Sequence, residues 1–174
     1  MLGVNKGTVL LKPHHEDYHL MFEKEKVLLE ELFGDHVVAI EHIGSTSIKG
    51  IQAKPIIDIL IGVRDLEAFK RIEKVNMSKN DYYFLQVKIE GKAVIAKFSS
   101  LENLTKTHIL HVVEYDGDWW HAHTVFRNRL NADPSLAKEY EQLKIDLAEK
   151  YHDNERAYMD GKQAFVNRIV NGKV

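Results

Sequence analysis

The chain has 174 residues, a formal net charge of −2 and no cysteine, with 44% hydrophobic and 29% charged residues. That composition supplies a packed core. It excludes disulfides, thiolate metal sites and a thiol nucleophile, and it gives no basic excess of the kind that marks general nucleic-acid binders. Met1–Leu11 has no apolar stretch of signal-peptide length, and no segment reaches the ~20 apolar residues that span a bilayer, so a soluble cytoplasmic protein with no membrane partner is expected.

In chain order, Thr8–Lys12 reads as a short strand stopped by Pro13. Asp17–Phe33 carries apolar residues at helical spacing and ends at Gly34. Val37–Ile43 is a short apolar run, read as a buried strand, and Ile56–Val63 is the strongest strand, rich in β-branched residues. Leu66–Lys74 reads as a surface helix. Tyr82–Ile89 and Lys92–Phe98 flank Glu90-Gly91, a hairpin signal, and Thr107–Glu114 is another strand. Beyond Asp116 the pattern turns helical. Trp119, His123, Phe126 and Leu130 share one face; Asp133-Pro134 opens a second helix with Leu136, Tyr140, Leu143 and Leu147 on a stripe; a last helix carries Tyr158, Phe165 and Ile169. The reading is one α/β domain over 1–174, with an α/β core over 1–116 and a helical part over 117–174.

Chemistry concentrates in Ile40–Ile61, IEHIGSTSIKGIQAKPIIDILI. Gly44-Ser45-Thr46 follows an apolar strand. Glycine permits close backbone approach to a ligand, and a helical turn starting at Ser45 would offer N–H groups and hydroxyls to a phosphate. A simple turn with Ser45 or Thr46 as its cap explains the same residues. Asp58 is more telling: a carboxylate inside Ile56-Ile57-Asp58-Ile59-Leu60-Ile61 is costly unless paired, metal-bound or at an exposed strand end.

Twelve residues separate Ser45 from Asp58. A strand ending in Gly-Ser, followed at that distance by an Asp in a hydrophobic strand, resembles the polymerase-beta-type nucleotidyltransferase signature. More narrowly, Glu41-His42-Ile43-Gly44-Ser45-Thr46, Gly50 and Ala53-Lys54-Pro55-Ile56-Ile57-Asp58 resemble the GrpB-like branch of that superfamily. Phe126-Arg127, Leu130, Pro134, Tyr140, Leu143-Lys144, Tyr158, Gly161-Lys162 and Phe165 continue the likeness nearly to the end of the chain. The resemblance implies an α/β mixed sheet of the nucleotidyltransferase type with a C-terminal helical bundle. It also implies Asp58 as a catalytic metal ligand in transfer of a nucleotidyl group to an unknown acceptor. The chain departs from the superfamily pattern at Leu60, where a second carboxylate would share Asp58's strand face and help grip two metals. It departs from the family pattern at Lys49, Tyr18 and Asn128-Arg129.

The link between the two strands is only about eleven residues, short for a parallel crossover, so antiparallel pairing would bring Glu41 or His42 toward Asp58. His108 and His111 lie on opposite faces of a later strand, and His111 is the better candidate to face the site. With histidine help, Asp58 would hold zinc or manganese more readily than magnesium alone. Lys54, Arg127, Lys144 and Lys162 could line a phosphate pocket for a nucleotide or another phosphorylated small molecule; Lys162 stands on an otherwise apolar helical stripe. Snorkelling and surface ion pairs account for each of these cations singly. His121 and His123 read as structural, His14 and His15 as exposed. Two alternatives stand beside transfer: a non-catalytic nucleotide-binding or accessory domain, and a His/Asp metal-dependent hydrolase.

Overall fold

The computed structural model describes residues 1–172. Helix α1 (Tyr18–Phe33) ends at Gly34, whose φ of 50° suits glycine. It leads through a 3-10 turn into β1 (Val37–Ile43). A second 3-10 turn, Ser45–Ser47, and an extended loop connect to β2 (Ile57–Val63). Short helices α2 (Leu66–Phe69) and α3 (Lys74–Ser78) precede β3 (Tyr82–Phe84), β4 (Lys92–Ser100) and β5 (Thr105–Glu114). Four helices follow: α4 (Asp118–Ala132), α5 (Pro134–Lys150), α6 (Glu155–Gly161) and α7 (Gln163–Val170).

The sheet order is β1-β2-β5-β4-β3. β2 and β5 run parallel and the other pairs antiparallel, so this is a mixed α/β fold with a helical C-terminal part. The short β1–β2 link does give antiparallel pairing, with Ile43 opposite Asp58. One sheet face is covered by α1: Ile57, Ile59, Ile61, Leu110 and Val112 pack against Tyr18, Phe22, Leu29 and Phe33. The other face carries Leu60 with Ile43, Val113 and Trp120. A third cluster joins Ile48 and Ile51, from the β1–β2 link, to Leu130, Tyr140, Phe165 and Ile169 of the helices. Burying these side chains supplies the main favourable term of folding, and Asp133 caps α5 by accepting from the Ser135 and Leu136 N–H groups.

Several expectations are corrected. Thr8–Lys12 is not a strand: it is tied to the fold by an isolated bridge, Lys12 to Ala53, and by the Val9 N–H donating to the His152 carbonyl, with no continuous ladder beside it. Leu66–Lys74 is not one surface helix; it is interrupted, and Leu66 and Phe69 are buried. The hairpin turn forms at Gly91, with φ of 72°, but its first arm is regular only over Tyr82–Phe84. Trp120, not Trp119, enters the core. The last helix is two, broken at Lys162.

Beneath α1 lies a buried polar cluster. The Glu25 carboxylate accepts from Lys97 Nζ at 2.6 Å and from the Tyr82 hydroxyl, and His108 Nε2 stands 3.8 Å away. Burial pushes the Glu25 carboxyl up, but hydrogen bonds from Lys97 and Tyr82 outweigh it and leave the group below its ordinary range. Burial lowers His108 to about 4 against the pull of Glu25, and lowers His42 to about 4 against the pull of Asp58. Both imidazoles are therefore neutral in the folded protein and take up protons on unfolding below about pH 6.5. The stability they confer is complete above that value and is lost as pH falls toward 4, with Glu25 adding to the loss further down. Thermal melts across this window should show a steadily falling midpoint, with a shallower slope in His108→Gln; a flat profile would contradict the assignment.

Candidate functional site

The site begins with the turn after β1. Gly44 adopts φ 71°, ψ −174°, a region essentially reserved for glycine. A Cβ there would collide with the Asp58 carboxylate, so the absence of a side chain is what lets the turn lie against Asp58. Ser45 lies beside the Tyr140 hydroxyl. Thr46 is buried and turns away: its hydroxyl lies 2.9 Å from His42 Nε2 and donates to the Ile56 carbonyl.

Asp58 and Leu60 share the sheet face opposite α1. Asp58 Oδ1 accepts from His111 Nε2 at 3.2 Å, and His111 stands beside Leu60 across the parallel β2–β5 pair. His111 Nδ1 is buried with no hydrogen-bond partner. Behind it, the His123 ring lies 5.0 Å away and takes a 2.7 Å contact from the Lys92 ammonium, which also covers the Trp119 ring at 3.9 Å. Burial first, then the Lys92 and His111 charges, lowers His123 to about 2, so it acts as a neutral acceptor. Burial lowers Lys92 to about 8, opposed by Asp58.

A cavity of about 290 Å³ opens over Asp58. Its polar wall is formed by Ser45, Lys54, Asp58, His111 and Lys162, with Lys106, Glu155 and Tyr158 at its edge. Lys162 lies over the Tyr158 ring at 4.7 Å. Burial lowers it to about 8, while Asp58 and Glu155 hold it up. Lys54 lies 3.1 Å from Glu155 and over the same Tyr158 ring, at 4.9 Å. Ile109 and Val94, the strand partners of Asp58 and His111, continue the sheet floor of the cavity, and Leu85, Val87 and Ile89 add further apolar lining. Larger openings over α3 and β3 (about 370 Å³) and around His14, His19 and His42 (about 480 Å³) include neither Asp58 nor the cleft lysines.

The structure thus brings Gly44, Ser45, Asp58, Lys54, Lys162 and His111 together and leaves five predicted residues outside, Thr46 among them. Arg127 is taken by Glu41, at 2.7 Å, and by the His42 carbonyl. Glu41, as the other half of that ion pair, is no free ligand. His42 lies on the α1 face, stacked on Phe22 at 5.0 Å, because it pairs with Ile59 rather than Asp58 in the strand register. Lys144 is buried, donates to the Gln52 carbonyl and lies over the Tyr140 ring; burial lowers it to about 7. Sequence reasoning missed Lys92, Lys106, Glu155 and His123. Lys92 follows a turn and Lys106 stands just before the Thr107–Glu114 run read as a strand, where lysines are ordinarily solvated; β5 in fact begins at Thr105. Glu155 had a readable signal, standing seven residues before Lys162 on the same helical face.

The superfamily pattern implies divalent metal, and the donors here do not fit a resident ion. Asp58 is the one carboxylate on its strand face, with Leu60 at the second position. Its Oδ1 is engaged by His111, and Glu155 is paired with Lys54. Among the described residues no three His, Asp or Glu side chains converge as a metal group.

By architecture this is a mixed α/β protein in which a helical half closes over one end of the sheet to make a cleft. The family follows from its relatives. The model of the GrpB protein family matches residues 8–171, and the chain belongs to that family. It is 55% identical to the glutamate-rich protein GrpB of Alkalihalophilus pseudofirmus over 98% of this chain and 99% of that one. It is 36% identical to the UPF0157 protein YqkA of Bacillus subtilis over 92% of this chain and 46% of that protein. The crystal structure of the conserved protein GrpB from Enterococcus faecalis superposes with a TM-score of 0.84 at 28% identity, covering 94% and 96% of the two chains. No helix among the described residues is long and apolar enough to cross a membrane.

Proposed function

We propose that the Asp58 cleft binds a nucleotide, with its phosphate on the lysines and the Ser45 turn. The carrying observation is that Lys54 and Lys162, from opposite halves of the chain, meet Ser45 and Asp58 in one partly enclosed cavity that also has apolar lining. Lysine ammoniums desolvated in such a setting attract phosphate oxygens more strongly than exposed ones do. Calorimetric titration with nucleotides should show saturable binding that weakens about tenfold or more in Lys162→Met. Unchanged affinity in that variant would refute the assignment.

Transfer of a nucleotidyl group to an acceptor is the second reading. One observation favours it: Asp58 interrupts a hydrophobic strand and is held by His111, an arrangement suited to placing a carboxylate beside an acceptor hydroxyl. Leu60 weighs against it, since the metal-gripping pair is incomplete. Incubation with labelled nucleoside triphosphates and magnesium or manganese should then give a product that Asp58→Asn abolishes.

A further inference from the structure

We propose that the ligand of this cleft is a nucleoside monophosphate bound without a divalent cation, rather than a metal-chelated triphosphate. The proposal rests on the nucleotide reading above and narrows it.

The first argument is charge. Lys54 is matched by Glu155 at 3.1 Å. Lys162 and Lys106 share Glu155 and Asp58 with it, so three lining ammoniums stand against two lining carboxylates and the cleft carries a small positive excess. A phosphomonoester, with roughly one to two negative charges, comes nearest to matching that excess. A triphosphate brings two further charged phosphates that would need a cation. The donors for a resident cation are missing, because Leu60 replaces one carboxylate and Arg127 occupies Glu41. Burying unanswered phosphate charge beside Asp58 is unfavourable at short range.

The second argument is shape. About 290 Å³ lies at the small end of ligand pockets, roughly 300–1,000 Å³. Besides the lysines, the lining includes Leu85, Val87 and Ile89. Here the chain leaves the sheet: beyond Phe84 the ladder with β4 gives way to one Leu85-to-Val94 bond and one Ile89–Lys92 bridge. The backbone N–H and C=O groups of Gln86, Val87 and Lys88 make no ladder bonds among the described residues and can meet ring heteroatoms. Val87 and Ile89 are 47% and 39% exposed, apolar surface that a planar base would cover. A flat, apolar-faced group with polar edges fits that wall; a bare phosphate or sugar phosphate leaves it uncovered.

The test is a calorimetric series on the full chain in EDTA, with the four common ribonucleoside 5′-monophosphates, inorganic phosphate and ribose 5-phosphate. Parallel titrations use the matching triphosphates with magnesium. At least one monophosphate is expected to bind in EDTA about tenfold tighter than its magnesium triphosphate and than ribose 5-phosphate. Lys162→Met and Lys106→Met should weaken monophosphate binding. Val87→Glu, at an exposed position, should remove the advantage over ribose 5-phosphate. Tighter binding of a magnesium triphosphate overturns this inference and leaves the nucleotide reading standing. Equal binding of inorganic phosphate or ribose 5-phosphate overturns the base-binding wall. No binding of any nucleotide, by a chain that melts cooperatively, overturns both.

Discussion

Leu60→Asp is expected to lower the unfolding free energy by ~3–5 kcal/mol and to create no magnesium site. The substitution restores the carboxylate spacing of the wider superfamily, so a protein merely lacking one ligand should gain metal binding. Leu60 is fully buried among Ile43, Val113 and Trp120. A carboxylate there has no solvent, and its polar neighbours are already engaged, Arg127 by Glu41 and His111 by Asp58, so the cost of a buried charge dominates. The melting temperature should fall by roughly 10 °C. Burial would raise the new carboxyl's pKa above its unfolded value. The loss is therefore full near neutrality and relieved as pH falls through the folded pKa. Scanning calorimetry at two pH values, with and without millimolar magnesium, gives the answer. Recovery of the melting temperature by magnesium at neutral pH would show that the face does accept an ion.

Gly44→Ala should separate the turn from the carboxylate. The backbone angles at Gly44 cost an L-residue ~1–3 kcal/mol on their own, and the added methyl overlaps Asp58. Gly50 supplies the comparison: its φ is +75°, with no heavy atom within 4 Å of an added Cβ. Both substitutions should lower the melting temperature, but only the change at Gly44 should break the contact between Asp58 and His111. The His111 ring resonances in an NMR spectrum report this without any ligand. If both variants leave those resonances alike, the close approach at Gly44 does not position Asp58.

The sheet was largely readable because its signals are local. Val37–Ile43 and the β-branched run to Val63 are uninterrupted, and the short link between them forces antiparallel pairing. The Gly44–Asp58 approach and the His111 face follow from the same strand arithmetic. What failed was side-chain destination. Glu41 and His42 are neighbours at a strand end, yet the pleat sends Glu41 to Arg127 and His42 under α1. Lys144 stands between apolar positions of α5 as Lys162 does near those of α6, but one reaches a carbonyl and the other the cleft. Helical spacing places both near the core and says nothing of which partner each will meet. The broken helices at Leu66–Ser78 and at Lys162 were hidden because their apolar residues keep helical spacing across the interruption.

The β2–β5 pairing has a kinetic consequence. Asp58 and His111 are 53 residues apart in sequence, and parallel strands cannot register until everything between them has been looped out, an entropic cost met before any contact repays it. Lys162 lies farther along still, on the last pair of helices. During synthesis the β1–β2 hairpin can form early, β5 closes onto it only after the β3–β4 hairpin has emerged, and the cleft gains its second wall last. A nascent chain stalled before α6 would therefore present a finished sheet with an unfinished pocket.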